Sequence, residues 1–476
     1  MRSLAFVVLV GCGGKPDLSC YWDADLDGFG DADHGGIDCA EGVDNADDCD
    51  DTSGSVFPGS TATEVPFDGI DQDCDGIDAC TDLDCDGRPD LVFAQTDDGE
   101  GDYFIDSAIW LSSDGFSEPH PLPTIGAMGV DAADFDNDGY IDLVVASVQD
   151  GERRDVDSLV FRGSGQGVDP EPWLKVPTVG CADPTAADID GDGWVDLVFA
   201  NRFSGGDPTL DNYSNDSLVL WGSSDGFLDE TRLPTVGAAR SRVADLDADG
   251  HNDLVFANGV LETLDVPHSP VFWGSAEGFD PERRTDLSTV FPEGLLVEDL
   301  DYDGVLDVVF TTWLCLLDCD SASLVHPGDG AGGFSSPWTL PEAVGAVDVQ
   351  AADLDGDGLL DLVVANGGVD LATQAFATES WIYWGTTAGD GFSVDDRTAL
   401  PTTAASEVGI DDIDGDGDLD IVFASHYAPA DGGPEVSQIY WNRGGFSPDD
   451  RTELPTLHAA GLAVVGRRLT AEETGG

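Results

Sequence analysis

Asp134-Phe135-Asp136-Asn137-Asp138-Gly139-Tyr140-Ile141-Asp142, followed at once by Leu143-Val144-Val145-Ala146, is the stretch from which the rest of the chain can be read. Four carboxylates in nine residues repel one another, so this segment resists compaction unless a cation joins it. The apolar run behind it is short, β-branched and unbroken, which suits a strand covered on both faces. The same pattern, Asp-x-Asp-x-Asp-Gly-x-x-Asp, begins at Asp82, Asp134, Asp188, Asp245, Asp299, Asp353 and Asp412, at intervals of 52, 54, 57, 54, 54 and 59 residues. Self-similarity at a near-constant spacing is the signature of a repeat architecture.

The surroundings repeat as well. A short strand-like run precedes each loop, as at Val130-Asp131-Ala132-Ala133, and an apolar strand follows it, as at Leu197-Val198-Phe199-Ala200. A third strand ends in an aromatic and Gly (Trp221-Gly222, Trp273-Gly274, Trp384-Gly385), then a Gly-Phe turn (Gly226-Phe227, Gly278-Phe279), then a segment closing on Leu-Pro-Thr (Leu122 to Thr124, Leu233 to Thr235). Four short strands in about 54 residues make one antiparallel propeller blade. One blade cannot bury both its faces; seven in a ring can, and the ring removes exposed sheet edges. The ends agree: the first loop has no blade strand before it, whereas Ala460-Gly461-Leu462-Ala463-Val464-Val465 is a strand with no loop after it. The expected fold is therefore all-β, a seven-bladed propeller over residues 81–466 whose C-terminal strand completes the first blade. Residues 467–476 are expected to be a tail.

Oxygen-only donors at positions 1, 3, 5 and 9, with the carbonyl of position 7, give the shell of six to eight oxygens that Ca²⁺ prefers, and the Gly at position 6 permits the reversal. Magnesium demands a tighter octahedron, and zinc favours His and Cys donors. In chain order the expected ligands are Asp82, Asp84, Asp86, Arg88 and Asp90; Asp134, Asp136, Asp138, Tyr140 and Asp142; Asp188, Asp190, Asp192, Trp194 and Asp196; Asp245, Asp247, Asp249, His251 and Asp253; Asp299, Asp301, Asp303, Val305 and Asp307; Asp353, Asp355, Asp357, Leu359 and Asp361; Asp412, Asp414, Asp416, Asp418 and Asp420. The first loop carries Cys85 and Pro89 and departs furthest from the pattern.

Acids outnumber bases 96 to 18, for a net charge of −78. Such a surface repels nucleic acid and anionic lipid and attracts cations. Hydrophobic content of 41% keeps the chain in the globular range. Arg2 and the apolar run Leu4 to Val10 read as an export signal over residues 1–11. Residues 12–80 form a Cys- and Asp-rich segment with its own acidic spacings, Asp23-x-Asp25-x-Asp27 and Asp71-x-Asp73-Cys74-Asp75. It has few apolar residues, so disulfides and metal, again calcium, are expected to hold it. Ten cysteines fit an oxidising compartment. Pairing among Cys20, Cys39, Cys49, Cys74, Cys80 and Cys85 is open, Cys315 and Cys319 can close a tight loop, and Cys181 is the odd thiol, expected to be buried and inert.

The repeats resemble the FG-GAP and VCBS family, the calcium-binding blades of integrin α-subunit heads and of many bacterial surface proteins. The resemblance covers roughly residues 80–466 and implies calcium in the loops joining the first and second strands of a seven-bladed ring. Leu9-Val10-Gly11-Cys12 resembles the bacterial lipobox, which implies lipidation of Cys12 and anchorage at an outer membrane or cell surface, with secretion as the alternative. The 12–80 segment resembles a metal-binding motif of myxobacterial secreted proteins, although Pro66-Phe67 stands where that motif often has a Cys.

Gly222-Ser223-Ser224-Asp225-Gly226 matches a nucleophile elbow, but its siblings in other repeats, such as Gly274-Ser275-Ala276-Glu277-Gly278, mark it as a hairpin. The recurrent Trp and Phe residues are expected to pack rather than bind sugars. The expected function is a non-catalytic, monomeric binding or adhesion platform for a protein or glycan ligand, with no nucleic acid and no membrane contact beyond the lipid anchor. A carbohydrate-active enzyme sited at the central channel, or an envelope spacer, are the alternatives; His, Glu or Arg side chains converging on the channel would favour the enzyme. The lengthened repeats mark Gly205 to Asn215 and Asp370 to Thr378 as contact surfaces.

Overall fold

The computed structural model describes residues 20–21, 29, 35–37, 80–204, 214–259, 268–313, 323–341, 343, 345–370, 375–376, 379–386, 391–427 and 433–466. The chain divides into two compact units, Met1–Cys80 and Thr81–Gly476. In the first, Cys20–Tyr21 pairs antiparallel with Gly35–Ile37. Cys12, Asp23, Asp25, Asp27, Asp71, Asp73 and Asp75, the loop between Cys315 and Cys319, most of 205–215 and the tail lie outside the described residues.

The second unit is built from seven four-stranded antiparallel sheets. Blades two to seven are sequential, and their first strands are Ala127–Ala133, Cys181–Ala187, Ala238–Ala244, Pro292–Glu298, Ala346–Ala352 and Ala405–Asp411. Blade one takes its first strand from the other end of the chain: Ala459–Val465 pairs antiparallel with Asp90–Gln95, running from Asp90↔Val465 to Gln95↔Ala459. The seven first strands pack against one another in an unbroken cycle and so surround the axis. No helix among the described residues is long and apolar enough to cross a membrane.

The apolar run behind each loop becomes the second strand, and all seven copies are buried along their whole length. Side chains alternate faces along a strand. In blade two, Leu143 and Val145 therefore pack with Val92 and Ala94 of blade one, while Val144 and Ala146 pack with Leu197 and Phe199 of blade three. Seven such inter-blade layers make the core.

Two further recurrences acquire a physical reason. The Thr of Leu-Pro-Thr meets a buried Ser on the third strand, as in Ser107–Thr124 at 2.8 Å and Ser217–Thr235 at 2.8 Å, so two hydroxyls satisfy each other inside the blade. The repeated indoles donate to a Thr of their own outer strand, as Trp221 to Thr231 at 2.9 Å and Trp384 to Thr398 at 3.0 Å. Trp221 also stacks on Phe279 of the next blade, with ring centroids 6.0 Å apart. The aromatic repeat is inter-blade packing.

Candidate metal centres and the central channel

In blades two to seven the acidic loop joins the first and second strands, in blade one it leads into the second strand from the N-terminal side, and neighbouring loops touch around the ring. Asn137 donates to the carbonyl of Gly193, and Asn252 to that of Asp188. The loops therefore share one face. Within a loop the backbone turns back on itself. The Gly at position 6 has φ between 83° and 96° in all seven copies. Position 4 is also left-handed, including the non-glycine residues Cys85, Asn137, Ala248 and Tyr302 at φ 53–59°. The sequence pattern does not advertise this second reversal, because position 4 is not conserved in type.

The first aspartate caps the turn: Asp134 Oδ1 accepts from the Asp138 amide at 3.1 Å and Oδ2 from Gly139 at 2.8 Å. Asp138 in turn accepts from the Tyr140 amide. The ninth is anchored twice, Asp142 accepting from Phe135 at 3.0 Å inside the loop and from Gly163 at 2.7 Å at the end of the third strand. This double anchor recurs in every blade, as at Asp196 with Ile189 and Gly222, and Asp420 with Ile413 and Asn442. In blades three, four and six the Gly after the aromatic is thus the partner of the loop's last carboxylate, and in blades one and seven Ser112 and Asn442 take its place.

Carboxylate oxygens converge to within 4.8 Å of one another in Asp82, Asp84 and Asp86; Asp134, Asp136 and Asp142; Asp188, Asp190 and Asp196; Asp245, Asp247 and Asp249; and Asp299, Asp301 and Asp303. The expected donors at positions 1 and 3 come together in each of these groups, with position 9 completing two of them and position 5 the other three. The third-position acid is the least satisfied: Asp84, Asp136 and Asp414 each hold a buried Oδ1 with no hydrogen-bond partner. Burial pushes the ninth aspartate up to about 7 at Asp90, Asp142, Asp361 and Asp420 and to about 6 at Asp196, Asp253 and Asp307, with nearby carboxylates adding to the rise. Orphaned, mutually repelling oxygens around one point fit a hard cation. Arginines pair with acids of four loops, three of them from outside the loop, closest at Arg162–Asp136, 2.7 Å, and within the first loop at Arg88–Asp86, 2.9 Å.

At the far ends of the first strands the ring encloses a cavity of about 240 Å³, lined by residues of all seven blades including Arg202, Arg240, Glu293, His426 and Tyr427. Arg240 lies 3.0 Å from Asp183 of the preceding blade and 3.3 Å from Glu407 of blade seven, with all three side chains nearly inaccessible. Burial works against the Arg240 charge, but Glu407, Asp183 and Asp348 overcome it and hold the guanidinium protonated. The acids also bridge blades: Asp183 accepts from Ser241, Asp348 from Val408, and Glu407 from Leu462, each on the next first strand. Arg202 pairs with Glu293 at the cavity wall. Sequence reading missed this group.

Cys181 is a buried free thiol whose pKa is raised by burial, as expected of an inert cysteine. Cys80 and Cys85 are disulfide-bonded, which places the first loop's oddity at a crosslink. Gly222 to Gly226 is a hairpin, Gly226 donating to the Ser223 carbonyl.

Comparison with known proteins agrees with this architecture. A model for FG-GAP-like repeats matches residues 82–145, 134–199 and 299–364, and a model for a proposed metal-binding motif matches residues 48–79. No curated protein matches the chain. Among solved structures, a periplasmic gluconolactonase of Pseudomonas aeruginosa is 16% identical with a TM-score of 0.52, covering 79% of this chain and 99% of its own. A proposed 6-phosphogluconolactonase of Bacteroides fragilis is 12% identical with a TM-score of 0.51, covering 80% and 98%. At these identities the likeness is one of fold.

Proposed function

Starting from a seven-bladed propeller of FG-GAP-like repeats preceded by a metal-binding motif, we propose that the protein is an exported, calcium-loaded binding platform without catalytic activity of its own. The observation that carries this reading is the clustering of carboxylates, with orphaned third-position oxygens, in successive loops on one face. All donors in those clusters are oxygen, which favours calcium over zinc, and the open loops suit its flexible coordination over magnesium's octahedron. Calcium fixes the loops and so presents a stiff face to a protein or glycan ligand. Export places the protein in millimolar calcium, held at the envelope through Cys12 or released.

Equilibrium dialysis of the full chain, paired with a pull-down from envelope extract, tests this. The reading expects about one calcium per loop and a captured ligand that EDTA releases. A protein that binds no calcium, or that captures the same ligand equally with and without it, refutes the proposal.

A second reading has one observation in its favour: Arg202, Glu293, Arg240, His426 and Tyr427 gather at the axial cavity, as an enzyme's site would. Against it, the charged groups of the inner layer are held in pairs and in hydrogen bonds between blades. Hydrolysis of a glycoside panel that is lost in Glu293→Gln while the melting point is kept would establish the catalytic reading instead.

A further inference from the structure

The seam where the ring closes is built around an imidazole. His458 stands immediately before the last strand, Ala459–Val465, and its carbonyl accepts from the Thr96 amide of blade one. The matching residues before the other first strands are Gly126, Gly180, Gly237, Phe291, Gly345 and Ala404, and all seven have a positive φ, from 40° at His458 to 83° at Gly345. That backbone suits glycine and strains a histidine. The seam nevertheless carries histidine, and carboxylates meet its ring from both sides. Asp97, just beyond the second strand of blade one, places Oδ1 2.9 Å from Nδ1; Glu435, just before the third strand of blade seven, places Oε1 3.3 Å from Nε2. The three side chains are only 10–15% exposed. Glu435 Oε2 also accepts from the His458 amide at 3.2 Å.

We propose that His458, Asp97 and Glu435 form a proton-dependent latch on the ring: the imidazolium ties the closing strand to blade one through Asp97 and to blade seven through Glu435, and loss of its proton slackens the seam. In blades two to seven the first strand continues through the acidic loop into the second, whereas Ala459–Val465 meets blade one with no such connection. Side-chain charge there supplies part of what the covalent link supplies elsewhere. A neutral imidazole has one N–H for two carboxylates and turns a lone pair toward the other; the imidazolium offers a proton and positive charge to both. The pairing therefore favours the protonated ring, so the latch is complete on the acid side of neutrality and is lost as pH rises and the imidazole deprotonates. An ordinary histidine gives up that proton at about pH 6.5. The remaining groups around the ring stay uncharged through this range. His426 stacks on His458 with centroids 5.4 Å apart, and burial together with that neighbour pushes His426 down to about 4. Tyr427, its centroid 5.3 Å from that of His458, and Tyr103, which feels the Asp97 charge, are both raised by burial.

Amide hydrogen exchange on the full chain, in about 10 mM calcium so that the acidic loops do not titrate, reads the seam directly. After correction for intrinsic exchange, protection along Ala459–Val465 should fall about tenfold between about pH 5.5 and about pH 8, intermediate between what exposed and fully buried ion pairs give, while the first strand of blade four, Ala238–Ala244, stays level. His458→Gly puts at the seam the residue that blades two, three, four and six carry, relieves the backbone and removes the imidazole, so it should fold and show no pH step. Glu435→Gln and Asp97→Asn, which keep side-chain shape, should each shrink the step. The proposal is overturned if protection of the closing strand in wild type does not change with pH, if blade four changes equally, or if the step survives His458→Gly. A surviving step would belong to Glu407, which accepts from the Leu462 amide on the same strand. None of these outcomes depends on what the acidic face recognises.

Discussion

Chelation is the perturbation with the largest consequence. The loops beginning at Asp82, Asp134, Asp188, Asp245 and Asp299 each bring three carboxylates around one point, and those at Asp353 and Asp412 carry the same pattern. With a site Kd of about 0.1 mM and about 1 mM free calcium, binding stabilises the fold by roughly 1.4 kcal/mol per site. Seven independent sites give about 10 kcal/mol, comparable with the whole stability of an ordinary domain, roughly 5–15 kcal/mol. A ring of about 390 residues has an unfolding entropy near 0.8 kcal/mol/K, at about 2.1 cal/mol/K per residue. Excess EDTA should therefore lower the melting temperature by about 12 °C, read by calorimetry or by fluorescence of the inter-blade indoles. Calcium should restore it, while 0.5 M NaCl should not, since screening acts weakly on clustered, partly buried charges. A melting curve unmoved by EDTA would refute the reasoning. So would full recovery in sodium chloride, because diffuse surface repulsion would then explain the loss.

Other expectations separate the parts of the design. Asp136→Ala should cost stability in calcium and little in EDTA, whereas Asp142→Ala should cost on the order of 2–5 kcal/mol in both, because it strips acceptors from the Phe135 and Gly163 amides; paired chemical denaturations check this. In EDTA the ninth aspartates have folded values of about 6 to 7, above the ordinary 3.8, so their contribution is complete below about pH 4 and is lost as pH rises through that range. The chelated protein should thus melt lower at pH 8 than at pH 5, and calcium should flatten the slope. Arg240→Met leaves Glu407 without its cation and Asp183 with only Arg242 at 3.8 Å, and should cost roughly 3–5 kcal/mol, a drop of about 5 °C. Cys181 should stay unreactive toward a thiol reagent until the ring unfolds.

What the sequence displayed is whatever the ring repeats. The loop, the buried second strand and the Trp-Gly and Gly-Phe turns recur because each blade solves the same packing problem, and Ala459–Val465 could be recognised as the closing strand because one copy of the first strand lacked its loop. The left-handed position 4 was hidden, since Asn137, Gly191, Ala248 and Tyr302 share a conformation but not a residue type. The partner of the ninth aspartate was hidden differently: Gly163 and Gly222 looked like turn residues, and only the fold shows their amides meeting Asp142 and Asp196. Along the axis repetition fails altogether. The rung that carries Asp183, Arg240, Asp348 and Glu407 carries Gly129 and Gly461 in two other blades, and these residues meet only because the chain closes on itself. The one available signal was an Arg240-Ser241-Arg242 pair inside a strand of small residues, in a chain with only 18 basic side chains. Sevenfold recurrence therefore reports on how each blade stands up, while the positions that break it, such as Arg240 in the channel, report on how the closed ring holds its blades together.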